Sequence, residues 1–152
     1  MSWFGTRQKQ SAVIFAAILI GLIFLNLRQA ESPEVQIEKN VRSLVAAAEA
    51  KEMGPFRDLI SADFVDANGR SRDEALNLLK LIYLRHTKIQ INVVSLDVKP
   101  GNSADQYTVN LFVLMSEGLL PQDKGNFSML WQKRGSEWLM TRAGWGDDGY
   151  GE

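Results

Sequence analysis

The apolar spacing of this chain changes once, at residue 89, and that change fixes its fold class. Upstream, Val41, Leu44, Val45 and Ala48 recur at three- and four-residue intervals, as do Ala75, Leu78, Leu79 and Ile82. This is the spacing of one helix face. Downstream, Ile89, Ile91 and Val93 alternate. The phase then slips, and Val94, Leu96 and Val98 alternate on the other parity. One extra residue at 93–94 is what a β-bulge in a bent strand requires. Helices first and hairpins afterwards predict an α+β domain, with three helices packed on a curved antiparallel sheet. A bent sheet wrapped over helices makes a cone with a pocket inside.

Local signals set the elements. Ser32-Pro33 reads as an N-cap followed by Pro at the first helical position. Gly54-Pro55 is expected to end that first helix. A short helix over about 55–61 presents Phe56, Leu59 and Ile60, and 63–69 is an extended piece closing on an Asn68-Gly69 turn. Ser71 and Glu74 have the spacing of a capping box and open the third helix. Arg85, His86 and Lys88 sit at its C-terminal end, where positive charge suits the helix dipole. Strands follow over 106–117, 126–134 and 136–145, separated by a loop at 118–125 and a tight turn at Gly135. Tyr107, Val109, Leu111, Val113 and Met115 form one face of the first of these. Phe112 and Leu114 lie on its other face, so both sides of its middle are expected to be covered.

Between Lys9 and Arg28 run eighteen residues without a charge. At ~1.5 Å per residue they make roughly 27 Å of helix, close to the ~30 Å of a bilayer's hydrocarbon core. Trp3 and Phe4 suit the interfacial aromatic belt. A cleaved signal peptide would end in a small-x-small site, and here Arg28 occupies the position that should be small. The segment is therefore expected to be a single-pass anchor. Arg7 and Lys9 precede it, while Glu31 and Glu34 follow. The positive-inside rule then places the N-terminus in the cytoplasm and the rest in the periplasm of a bacterium, at its inner membrane. The expected organisation is a cytoplasmic 1–9, a transmembrane 10–28, a linker 29–34, a folded domain 35–145 and a flexible tail 146–152.

The charge balance excludes several function classes. The net charge is −1, but all of residues 1–30 hold three bases and no acid. The remainder carries fourteen bases against eighteen acids. An acidic domain is unsuited to neutralising phosphates, so no nucleic-acid partner is expected. There is no Cys and only one His, which removes thiol catalysis, disulfides and the usual Cys- and His-rich metal sites. No metal and no cofactor are expected. Asp147, Asp148 and Glu152 lack the ligand spacing of a calcium loop.

The candidate site residues are few. His86 is the only side chain with an ordinary pKa near neutrality, so it is the default general base, against the simpler role of a helix-end charge. Asp63 and Asp66 flank the extended piece; residues three apart on a strand face opposite ways, and turn chemistry around Asn68-Gly69 explains both. Trp131 and Trp138 alternate with Met129 and Met140 in the manner of a core. Arg142 shares the parity of Trp138 and Met140, so a concave face there would aim its guanidinium into the pocket, toward an anionic ligand. The expected pocket lining is Tyr83, Tyr107, Trp131 and Arg142; if the chain were an enzyme, Asp66 and His86 would carry the chemistry.

The segments Leu59-Ile60-Ser61-Ala62-Asp63-Phe64-Val65-Asp66, Gly69-Arg70-Ser71-Arg72-Asp73-Glu74-Ala75 and Trp131-Gln132-Lys133-Arg134-Gly135-Ser136-Glu137-Trp138 occur in this order. Together they resemble the nuclear transport factor two-like superfamily, which includes SnoaL-like proteins and ketosteroid isomerases, over about residues 35–145. The resemblance implies a cystatin-like α+β cone that often dimerises through its convex sheet face, where Phe112 and Leu114 would find cover. Isomerases of this kind use a carboxylate base with a Tyr and a protonated Asp that hold the enolate oxygen. Asp66 falls near the base's place, but Leu44 stands where the Tyr would be and Met129 where the second acid would be. Neither can donate a hydrogen bond to an oxyanion. Membrane-anchored proteins of this fold resemble inner-membrane components of secretion and conjugation machines, where the domain binds other proteins. Three readings result: a membrane-tethered protein-binding or assembly domain without catalysis, an exported binder of an apolar or anionic small molecule, and a SnoaL- or isomerase-type enzyme.

Overall fold

The computed structural model describes residues 14–22, 31–118 and 122–146. The chain divides between Glu31 and Ser32 into two units. Within the first, α1 (residues 14–22) is a helix whose side chains are all exposed. Among the described residues, no helix is long and apolar enough to cross a membrane. The rest of the expected 10–28 span, the expected cytoplasmic 1–9 and residues 147–152 of the expected tail lie outside the described residues.

In the second unit, helix α2 (Pro33–Ala50) starts as its sequence dictates: Ser32 Oγ accepts from the Val35 N–H, with Pro33 at the first position. It buries Ile37, Val41, Leu44 and Ala47. Its end differs from expectation. The helix closes at Lys51, which takes a left-handed conformation (φ 56°) and donates its N–H to Ala48 O. Gly54-Pro55 instead opens the next helix, α3 (Gly54–Leu59), as Pro in a first turn permits.

The extended piece begins earlier than expected. Strand β1 (Ile60–Asp66) runs straight on from α3. Helix α4 (Arg72–Arg85) has a complete capping box: Ser71 Oγ accepts from Glu74 N, and Glu74 Oε2 accepts from Ser71 N at 2.7 Å. Strands β2 (Gln90–Pro100), β3 (Gln106–Ser116), β4 (Asp123–Arg134) and β5 (Glu137–Trp145) complete the sheet, in the order β1-β5-β4-β3-β2. The pairs β2–β3, β3–β4 and β4–β5 are antiparallel, but β1 joins β5 in parallel. The sheet is therefore antiparallel-rich and not wholly antiparallel. The predicted bulge exists: Val93 opposes Val113, Ser95 opposes Phe112, and Val94 is left without a partner.

One face of the sheet carries Tyr107, Val109, Leu111, Val113, Trp131, Trp138 and Met140, all buried with Ile37, Val41 and Leu44 of α2. That face fills the cone. Phe112 and Leu114, on the other face, are only half-buried within the chain. Helix α4 turns a different side inward from the one its spacing suggests. Leu76 is buried, Leu79 and Tyr83 are half-buried, and Ile82 is exposed. Leu76 and Tyr83 extend the apolar arc beyond the Ala75, Leu78, Leu79 and Ile82 stripe, so spacing alone could not choose which part of it faces inward.

Candidate functional site

Tyr83, Tyr107, Asp63, Asp66 and His86 each have a partner, and none of the five is another's partner. Tyr107 points into the cone from β3, meets Trp138 edge-on at 5.2 Å between ring centroids, and donates to Glu34 Oε1 at 3.0 Å. Burial raises the Tyr107 pKa, and the Glu34 carboxylate adds to the rise. The backbone N–H of Glu34 and the Tyr107 hydroxyl hold the Glu34 carboxyl below its ordinary range. Tyr83 lies between helix ends: its hydroxyl donates to Glu52 O at 3.2 Å, with Ala47 O at 3.4 Å. Burial, with the charge of Glu52 behind it, pushes its pKa up to about 12. Tyr83 thus ties α4 to the end of α2. Removing the hydroxyl in Tyr83→Phe is expected to cost about 0.5–1.5 kcal/mol. Chemical denaturation would read this, and a change of zero would mean the bond carries no net stability.

Asp66 is 3% exposed at the end of β1. Its Oδ1 accepts from Asn68 N and Arg70 N, both at 2.8 Å, and its Oδ2 accepts from Arg70 Nε at 2.7 Å. Burial raises its pKa, but the Arg70 side chain and the two backbone donors together outweigh it, and the carboxyl titrates below its ordinary 3.8. These three hydrogen bonds all go to one turn. Asp63 points elsewhere, to Ser61 Oγ and to Arg134 Nη2. Its carboxyl is also lowered, first by the Ser61 hydroxyl and then by Arg134. His86 caps α4, is exposed, and pairs with Glu117 through Nδ1. Its backbone oxygen accepts from Lys51 Nζ.

Arg142 is on the opposite face from the one its parity suggested. Met140 opposes Trp131, yet Arg142 opposes Leu130, so Thr141 is an extra residue in β5. This second bulge reverses the alternation and sends Arg142 to the outer face, where it is exposed. Trp131 is wholly buried, and its Nε1 has no hydrogen-bond partner. Among the described residues, no group of three His, Cys, Asp or Glu could hold a metal ion.

Five partners were not singled out from sequence: Glu34, Glu52, Glu117, Arg134 and Arg70. Arg70 lies four residues from Asp66 across a turn, a spacing that offers the ion pair to view. Its second contact, over the Trp145 ring at 5.0 Å, joins residues far apart in sequence and left no local signal.

Known structures share this fold. A protein with a cystatin-like fold from Caulobacter vibrioides aligns at a TM-score of 0.62 with 12% identity, over 72% of this chain and 85% of that one. A nuclear transport factor two-like protein of unknown function from Pseudomonas putida aligns at 0.62 with 13% identity, over 74% and 84%. The fold is nuclear transport factor two-like. A hexachlorocyclohexane dehydrochlorinase, LinA-type3, from Novosphingobium barchaimii has the same fold at 0.62 and 14% identity, over 74% and 84%. At such identities the likeness carries the fold and leaves activity to the side chains. No protein-family model matches the chain, and no curated protein matches it by sequence. Leu44 is buried in the core, and Met129 packs against it.

Proposed function

We propose that this chain is a membrane-tethered, periplasmic protein-binding and assembly domain without catalysis, anchored in a bacterial inner membrane by residues 10–28 with its N-terminus in the cytoplasm. The observation that carries the non-catalytic part is the dispersal of the polar candidates. Asp66 serves Arg70, Tyr107 serves Glu34, Tyr83 serves two main-chain carbonyls, His86 pairs with Glu117 and Arg142 faces outward. A general base needs a second group aimed at the same reacting atom, and none of these five converges on another. Trp131, Trp138 and Met140 occupy the cone's interior instead.

The tether rests on the uncharged segment and on the bases before it and acids after it. A reporter fused after Glu152 is expected to be active only when exported, and the full-length chain is expected to sediment with membranes. Cytoplasmic reporter activity, or recovery of a chain lacking its first thirty residues, would overturn the tether. The second reading, a small-molecule binder or enzyme, has one observation in its favour: the indole N–H of Trp131 is a buried donor with no acceptor. A dehydrochlorinase is among the proteins of this fold, which lends this reading support. Turnover abolished by Asp66→Ala or His86→Ala would establish that reading in place of the first.

A further inference from the structure

Helix α4 carries an apolar stripe that its own domain leaves uncovered. It packs against β1 through the Leu76 side. On the outer side Leu81 is 51% exposed, and on the two flanks Leu84 is 83% and Ile82 38% exposed. Exposed leucines at this density on one helix turn mark an interaction surface.

One row along this outer side, in which Leu81 is exposed and Leu78 half-buried, has an order of its own. Glu74, Leu78, Leu81 and Arg85 follow one another at intervals of four, three and four, and so share one helix face. An acid stands at its N-terminal end, two leucines in its middle and a base at its C-terminal end. Reversed, the row is its own complement. Two copies of α4 laid antiparallel about a twofold axis midway between Leu78 and Leu81 set Leu78 against Leu81 of the second copy. The same axis sets Glu74 against Arg85 of the second copy, at both ends of the pair. A twofold interface requires this self-complementarity, in which residue i meets j and j meets i.

We infer that α4 is a self-association surface whose occupant is α4 of a second copy of this chain, paired antiparallel in this register. The inference deepens the assembly reading above by naming one partner. The opposing charges favour the antiparallel pair over a parallel one, which would stack Glu74 on Glu74 and Arg85 on Arg85. The convex sheet face is the weaker rival: Phe112 and Leu114 are already half-buried, and polar Ser128 and Asn110 pair at 3.2 Å beside them. A fourteen-residue helix covers less than the roughly 800 Å² per partner of a standard interface, so the pair is weak in dilute solution. Confinement of two anchored copies to one membrane raises their effective concentration and offsets that weakness.

The chain has no Cys, so one introduced thiol reports one place. The full-length chain carrying Leu81→Cys, in membranes or detergent, is treated with a short bis-maleimide and the dimer fraction is read on a gel. Leu81→Cys is expected to cross-link to itself, and Asn110→Cys on the convex face to give about tenfold less dimer. Adding Arg85→Glu is expected to lower the Leu81→Cys yield about fivefold, and adding Glu74→Lys as well to restore it. Glu74→Gln, which keeps the cap on α4 while removing the charge, is expected to give a partial loss, and a melting curve on each variant checks the fold. Equal yields with and without Arg85→Glu, dimer from Asn110→Cys but not Leu81→Cys, or a product joining α4 to a different protein would each overturn the pairing. A soluble chain that still cross-links through Leu81→Cys would sink the tether and leave the pairing intact. A membrane-bound chain that does not cross-link would do the reverse.

Discussion

Replacing Trp131 by Ala is expected to cost about 3–5 kcal/mol of folding stability. Trp131 is wholly buried in β4, the central strand of the sheet, with Tyr107 opposite it on β3 and Met140 opposite it on β5. Ile37 and Val41 of α2 are among the residues buried with it. Removal of the indole leaves a cavity that stiff β-strands on both sides cannot close. The indole N–H adds a second consideration. It has no acceptor, and an unmet buried donor costs about 1–3 kcal/mol. Trp131→Phe loses volume but also relieves that penalty, so the two changes oppose each other. Its expected cost is below about 1.5 kcal/mol. Urea denaturation of the three proteins would measure the series. If Trp131→Ala cost less than about 1 kcal/mol, the side chain would not be core, and a ligand-binding role for the cone would return. If Trp131→Phe cost as much as Trp131→Ala, the N–H would have a bonded partner such as a buried water.

What could be read in the sequence was whatever depends on near neighbours. The change of period at residue 89, the Ser71–Glu74 cap and the slip at Val94 each lie within one element, and each is where expected. The bulge at Thr141 has the same physics but no visible slip. Trp138, Met140, Ala143 and Trp145 leave polar Thr141 and Arg142 between two apolar pairs, and either could have been the extra residue. That ambiguity sent Arg142 to the wrong face. The parallel pairing of β1 with β5 joins residues nearly eighty positions apart, such as Ile60 and Met140, and only the closed sheet specifies it. The candidate site divides in the same way. Asp66, Tyr83, Tyr107, His86 and Trp131 were legible as residue types that could act. Their partners, Glu34, Glu52 and Glu117, were not, because each contact crosses between elements. Since those partners decide whether a group is available, function was less legible than fold.

Asp66 supplies the second large effect, and its pH dependence separates charge from packing. Asp66→Ala is expected to cost about 2–4 kcal/mol, because it strands the Arg70 guanidinium and two backbone N–H groups that share one carboxylate. Arg70 remains partly open to water and stacks on Trp145, which keeps the figure below that of a fully buried broken pair. Asp66→Asn retains an acceptor oxygen and the side-chain volume, so it is expected to cost about half as much. The sign of the pH effect follows from the direction of the shift. The folded carboxyl titrates below its unfolded value of 3.8, so the native state holds its charge where the unfolded chain begins to lose it. Its stabilisation is complete above the unfolded pKa and is lost as pH falls through the folded one. The lowered carboxyls of Asp63 and Glu34 are present in both proteins and cancel in the comparison, while Glu74 differs only by a minor influence, the Asp66 charge that raises its pKa in the wild type. The gap between wild type and Asp66→Asn should therefore be constant from neutrality down to about pH 5 and narrow below pH 4. A gap that stays the same down to pH 2 would assign the loss to shape and hydrogen-bond geometry, with the carboxylate charge contributing nothing. Loss of partner cross-linking in a still-folded Asp66→Asn protein would place this turn in the binding surface.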